Sequence, residues 1–225
     1  MYVLIAGGGA LGREVAASLT ARGHDVVVID RLESVCATLY AELGVVAVKG
    51  NATDLHVLRD AGAGRADILV TALNVDADNI ACALLGRSLG IERVIGRLRD
   101  ASYEAAFRAA GVSHLIRATQ LLRNQVVLHV EHPQVEEIVS VGDPHTHIVS
   151  VRVPAGAWCV GKSVAELAAD RRFPEDCLLV GLRRQGETGI HIPRGGSCLR
   201  AGDEVLAIAA ADRVDKVLAV LTRRG

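Results

Sequence analysis

Hydrophobic residues in the first half of the chain fall into short, dense runs separated by amphipathic stretches. The runs are Tyr2–Ala6, Val26–Asp30, Val45–Lys49, Asp67–Ala72, Arg93–Leu98 and Ser113–Ile116. They are too short for helices and rich in Val and Ile, so they read as strands. Between them lie Leu11–Arg22, Glu33–Leu43, Asp54–Ala61, Asp76–Leu89 and Ala101–Ala110. Apolar residues there recur at helical spacing, as Leu11, Val15 and Leu19 do in the first, and Gly23, Gly44, Gly62, Gly90 and Gly111 follow the ends. A glycine in that place is the usual helix stop. Strands alternating with helices predict right-handed βαβ units in an α/β fold. The six runs would make a Rossmann-like, doubly wound parallel sheet that binds a ligand beyond its carboxyl ends.

The pattern changes after residue 118. Ala118–Glu131 reads as one long helix, and His132-Pro133 ends it, because proline cannot continue a helix and restricts the residue before it. Beyond it the strands alternate and are punctuated by turns: Glu136–Val141, His147–Val153, Leu178–Arg184, Gly189–His191 and Glu204–Ala209. Helices are predicted at Val164–Asp170 and Asp212–Arg223. This is a small, largely antiparallel α+β pattern. The organisation expected is a nucleotide-binding domain over 1–118, a connecting helix and hinge over 119–134, and a small C-terminal domain over 135–225.

Composition narrows the function classes. Half of the 225 residues are hydrophobic but only 3% are aromatic, so the core is aliphatic, as in parallel sheets buried on both faces. The net charge is −1 with no basic tail, which argues against nucleic acid as partner. The opening residues read as strand and glycine loop rather than a charged leader, and no uncharged apolar run reaches the ~18 residues of a membrane span. The five cysteines are odd in number, widely spaced and without a C-x-x-C pair, so they are expected to be reduced in a cytoplasmic protein.

The chemistry concentrates in one loop. Gly7-x-Gly9-x-x-Gly12 follows the first strand and opens the first helix, and Asp30 ends the second strand 18 residues later. Gly7 permits the turn, Gly9 admits a pyrophosphate to the backbone N–H groups, Gly12 lets the helix pack on the sheet, and Asp30 accepts ribose hydroxyls. Further candidates follow the third strand, in Gly50-Asn51-Ala52-Thr53-Asp54, where Asn51 suits a base edge and Thr53 offers a hydroxyl, although Asp54 is also an ordinary helix N-cap. Leu73 and Asn74 follow the fourth strand, and Arg97 lies inside the fifth, where its fixed donors suit phosphate or a salt bridge at the sheet's rim. Four imidazoles, His129, His132, His145 and His147, flank the hinge, but Pro133 separates them and no metal site is expected. No catalytic pairing stands out in the small domain. A nucleotide site without substrate machinery suggests sensing; the alternative is an NAD-dependent oxidoreductase, which would need a proton relay facing Leu73 and Asn74.

With both halves read, the chain resembles the TrkA/KtrA family of RCK (regulator of potassium conductance) proteins, the cytosolic regulatory subunits of bacterial potassium uptake systems. In the first half the likeness rests on Gly7-x-Gly9-x-x-Gly12, Asp30, Gly50–Asp54, Ala61-Gly62, Ala66-Asp67, Asp78-Asn79 and Gly111. In the second it rests on Val160-Gly161-Lys162-Ser163, Ala165-Glu166-Leu167, Val180-Gly181-Leu182-x-Arg184, Ile192-Pro193 and Ala201-Gly202-Asp203-Glu204. The resemblance implies a non-enzymatic homodimer, or larger ring, at the inner face of the cell membrane beneath a membrane-embedded potassium transporter subunit of Trk or Ktr type. It implies nucleotide contacts at Gly7, Gly8, Gly9, Ala10, Leu11, Asp30, Leu73, Asn74 and Arg97, to which the reading of the loops adds Gly12, Arg31, Asn51, Ala52 and Thr53 as candidates. Members that respond to ATP tend to carry an arginine where Ala10 stands and a Pro-Glu pair where Ala118-Thr119 stand. The expected ligand is therefore NAD(H), with ADP, AMP or ATP as alternatives. Asp30 disfavours NADP, whose 2′-phosphate it would repel, although Arg31 stands beside it. Some relatives bind cyclic di-AMP in the small domain; no residue is assigned to that here.

Overall fold

A computed structural model of the chain describes residues 1–131, 135–140 and 146–225. Two compact units emerge, Met1–Leu121 and Leu122–Gly225, divided inside the helix of the segment 119–134 expected to connect the domains, of which residues 132–134 lie outside the described residues.

In the first unit, β1 (Tyr2–Ala6), β2 (Asp25–Asp30), β3 (Val46–Lys49), β4 (Ile68–Thr71), β5 (Arg93–Leu98) and β6 (His114–Arg117) form one parallel sheet in the order β3-β2-β1-β4-β5-β6. Side chains alternate across it. Val3, Ile5, Val26, Val28 and Ile68 face α1 (Ala10–Ala21) and α2 (Glu33–Leu43), which contribute Ala16 and Leu39. Leu4, Val27, Ile29, Leu69 and Val94 face α3 (Leu55–Asp60) and α4 (Asp76–Ser88), which contribute Leu58, Cys82 and Ala83. Burial on both faces is why the strand sequences are continuously apolar. The chain leaves β1 towards β2 and returns on its other side as β4, so the strand order reverses there and a crevice opens beyond the carboxyl ends of β1 and β4.

The helix predicted over Ala101–Ala110 is broken. Asp100 accepts the Ser102 N–H at 2.9 Å and holds a 3-10 turn over Ala101–Tyr103, after which α5 covers Glu104–Ala109. That contact holds the Asp100 carboxyl below the usual range. Phe107 on α5 is fully buried, and its ring lies where a side chain on Gly96 of β5 would go, 3.1 Å from an ideal Cβ. Glu104 accepts hydrogen bonds from Arg117 of β6 and from Arg108, which hold its carboxyl below the usual range.

The second unit begins within α6 (Ala118–Glu131) and carries an antiparallel sheet of β7 (Val135–Ser140), β8 (Thr146–Arg152), β9 (Leu178–Arg183) and β10 (Glu204–Ala210) in the order β7-β8-β10-β9. Val149, Val151, Leu182, Val205 and Ala207 pack against Val214, Val217, Leu218 and Leu221 of α8 (Val214–Thr222). The short α7 (Val164–Ala168) starts in a capping box, with Ser163 and Glu166 each satisfying the other's backbone N–H. The strand expected at Gly189–His191 is only a bridge, in which His191 and Leu182 exchange two 2.8 Å bonds. Pro193 has no N–H with which to extend that ladder. Replacing Phe107 by Ala is expected to cost the first unit about 3–5 kcal/mol, seen as earlier urea unfolding of helix by circular dichroism; an unchanged transition would show that this ring is not a core support.

Candidate functional site

The turn after β1 is built for close backbone approach. Gly7 has φ +105°, a conformation that L side chains rarely adopt, and donates its N–H to Ile29 O at 2.8 Å. A Cβ on Gly12 would sit 1.8 Å from the Gly7 carbonyl oxygen, so only glycine lets α1 start against the loop. Gly9 is the N-cap of α1, has no side chain to cap with, and has nothing within 4 Å of where a Cβ would point. Ala10 and Leu11 follow on the first turn and are exposed. The first N–H groups of a helix have no partner inside it and carry its positive end, so open space at this point suits an anion.

Asp30 holds this loop from the side. Its Oδ2 accepts the Gly8 N–H at 2.7 Å and its Oδ1 the Leu32 N–H at 2.9 Å. A carboxylate has about four lone-pair directions, so two remain for hydroxyls after both bonds are made. Gly8 itself is enclosed, because a Cβ would meet Val35 at 2.7 Å and Leu39 at 2.9 Å.

The next candidates are arranged differently from one another. Arg31 reaches Asn51 Oδ1 at 2.9 Å through Nη2 and at 3.2 Å through Nε, and Asp78 Oδ2 at 3.4 Å. Asn51 Oδ1 also accepts the Thr53 N–H at 3.1 Å, so the amide offers a base edge its NH2 donors while its carbonyl is taken. Thr53 is half-buried beside it. Ala52 is only 2% exposed and packs in the core beneath α3. Asp54 caps α3 through the His56 N–H at 2.8 Å.

Two buried polar residues, Asn79 and Asp76, position the far side, and neither stands out as a ligand group in the sequence. Asn79, fully buried on α4, accepts the Leu73 N–H at 2.8 Å and donates to Leu73 O at 3.1 Å and Arg97 O at 3.3 Å. Asp76 accepts the Arg99 and Asp100 N–H groups at 3.0 and 2.9 Å. Together they tie the turn after β4 to the end of β5. The available signal was a polar residue heading the buried stripe Asn79, Cys82, Ala83 and Gly86. Leu73 is half-buried, Asn74 is exposed, and the Asn74 carbonyl accepts from Arg99. Arg97 is half-buried, and by alternation it shares the α1 face of the sheet with Ile95; its Nε is buried without a hydrogen-bond partner.

Burial pushes the Cys82 thiol up to about 12 and the Cys177 thiol to about 11, so both stay protonated at neutral pH. Among the described residues no three His, Cys, Asp or Glu side chains converge on a point; His132 and His145 lie outside them. No described helix is long and apolar enough to cross a membrane.

Known proteins agree with this architecture. Residues 3–118 match the family model for the TrkA-N domain and residues 148–222 that for the TrkA-C domain. The Trk system potassium uptake protein TrkA homolog of Methanothermobacter thermautotrophicus is 28% identical over 214 residues, covering 95% of this chain and 96% of its own. That of Archaeoglobus fulgidus is 31% identical over 232 residues, covering 100% of this chain but 51% of its own, so the chain spans about half the length of that relative. The solved GsuK channel bound to NAD superposes with a TM-score of 0.65 at 19% identity, over 100% of this chain and 40% of the other, and shares the fold. The chain belongs to the TrkA family of potassium uptake proteins, with a TrkA-N domain followed by a TrkA-C domain.

Proposed function

We propose that the protein is a cytoplasmic regulatory subunit of a potassium transporter, that NAD(H) is its ligand, with ADP, AMP or ATP as alternatives, and that it acts by conformational change rather than catalysis. The observation that carries this reading is the combination at α1: a bare Gly9 N-cap opening on free space, with Asp30 fixed beside it by Gly8 and Leu32. A pyrophosphate fits the helix N-terminus, and a ribose fits the remaining lone pairs of Asp30. The donors of Asn51 and the hydroxyl of Thr53 suit the adenosine half. Leu73, Asn74 and the buried Nε of Arg97 border the other half. NAD(H) carries its own hydride chemistry, but here the chain's residues are assigned only to binding and orienting it. The relatives' names, Trk system potassium uptake protein, and a neighbour of the same fold bound to NAD support the assignment.

Such a ligand works by favouring one of two geometries. A shift from 1:99 to 99:1 needs ~5.5 kcal/mol of differential affinity. Two copies of the chain supply the movable partners. Leu122, Val126 and Val130 are exposed at four-residue spacing on α6, an apolar stripe that a second copy would cover.

Asp30→Ala should weaken NAD binding by about ten- to a hundredfold, the worth of one or two charge-assisted hydrogen bonds. Calorimetry with AMP and 2′-deoxy-AMP separates ribose binding from loop damage, because the deficit should shrink for the deoxy compound. Equal affinity of wild type and variant for NAD would overturn the site. NADP should bind more weakly than NAD. Val126→Asp should shift the sedimentation of the chain towards monomer; an unchanged sedimentation coefficient removes α6 from the interface. In vesicles holding the cognate transporter, potassium flux should respond to NAD or NADH only when this chain is added. Steady hydride transfer to a small substrate would instead identify an oxidoreductase.

A further inference from the structure

The second unit carries a groove of ≈290 Å³ that the nucleotide site does not use. One wall is a single face of α8 and its C-cap, because Lys216, Ala219, Val220 and Arg223 recur at helical spacing. The opposite wall is Arg171, Arg172 and Trp158, the only tryptophan in the chain. Arg172 is already engaged. Its guanidinium forks onto Asp170 at 2.8 and 2.7 Å and lies 4.0 Å from the indole centre, and the Lys162 ammonium lies 4.5 Å from it. Arg171, Lys216 and the side chain of Arg223 have no ion pair or hydrogen bond among the described residues. Three uncompensated cations therefore surround a floor of Val220, Ala219 and indole.

We propose that this groove docks an acidic, partly aliphatic segment of a partner protein. Its carboxylates would sit on Arg171, Lys216 and Arg223, with an apolar side chain over Val220 and the indole. Charge complementarity gives the sign of the occupant and the spread of charge gives its shape. Lys216 and Arg223 are seven positions apart, ~10 Å along a helix, with apolar atoms between them. An extended chain alternating carboxylates with aliphatic side chains reproduces that spacing, whereas a lone phosphate concentrates its charge at one point. A nucleobase would also compete with Arg172 and Lys162 for the indole. The cations line one short groove of a chain whose net charge is −1, which does not suit a nucleic-acid backbone. Glu175 and Asp176 border the adjoining hollow, also lined by Arg171 and Lys216, and a second copy presenting that loop is the rival occupant.

Trp158 supplies an intrinsic reporter in the full chain. A fluorescein-labelled peptide alternating Glu and Leu should bind saturably by anisotropy, change the Trp158 emission, and weaken as salt rises. The Lys216→Glu/Arg223→Glu variant should bind about tenfold or more weakly, and Lys216→Gln/Arg223→Gln should fall between it and wild type, with circular dichroism unchanged in both. A peptide alternating Lys and Leu should not bind. The proposal is overturned if the Glu-Leu peptide fails to saturate at millimolar concentration or binds the charge-reversed variant equally well. It is also overturned if pyrophosphate or AMP perturbs Trp158 where the peptide does not. Self-association that the charge reversal abolishes, without peptide binding, would assign the groove to a second copy instead.

Discussion

The first helix can lie where it does only because position 12 has no side chain. Any Cβ there would overlap the Gly7 carbonyl oxygen, 1.8 Å away. That contact brings the backbone of α1 against the turn after β1 and sets the helix's positive end above the carboxyl edge of the sheet. The open space at Gly9, the hold of Asp30 on Gly8 and the approach of a pyrophosphate all depend on a helix that starts there and not one residue later.

The other side of the crevice is held by polar groups rather than by close packing. Asn79 and Asp76 are buried, and each satisfies backbone N–H groups that the turn after β4 and the end of β5 would otherwise leave unpaired. Leaving such a donor buried and unpaired costs about 1–3 kcal/mol, so each is worth more as a staple than its net hydrogen bond suggests. One rim of the crevice is thus a rigid backbone contact and the other a small polar network. A ligand spanning both would join elements on either side of the strand-order reversal.

The two units bury their cores by different rules, and this governed how easily each was read. In the parallel sheet the inner strands β2, β1, β4 and β5 are covered on both faces, so apolar runs and helix-stopping glycines marked the elements closely: β1, α2 and β5 have the bounds that their patterns imply. In the antiparallel sheet, pairing depends on partners far apart in sequence. Gly189–His191 has the alternation of a strand, yet Pro193 and exposed Ile190 and Ile192 leave it a single bridge. The break before α5 was hidden for a related reason, since Asp100 draws its own neighbour's N–H into a local turn, a competition that periodicity does not register.

By itself the sequence determined the alternating α/β architecture, the glycine turn and the acid at the end of β2. These rest on local rules: backbone angles that only glycine adopts, apolar periods matched to strand or helix, and a fixed spacing from turn to carboxylate. Only the tertiary structure decided that Ala52 packs in the core, that the Asn51 carbonyl is already taken, and that Asn79 links Leu73 to Arg97. It also decided that Arg171, Lys216 and Arg223 gather beside Trp158. Those facts depend on which distant segments meet in space, and a hydrogen bond or a groove between such segments leaves no periodic trace in either one.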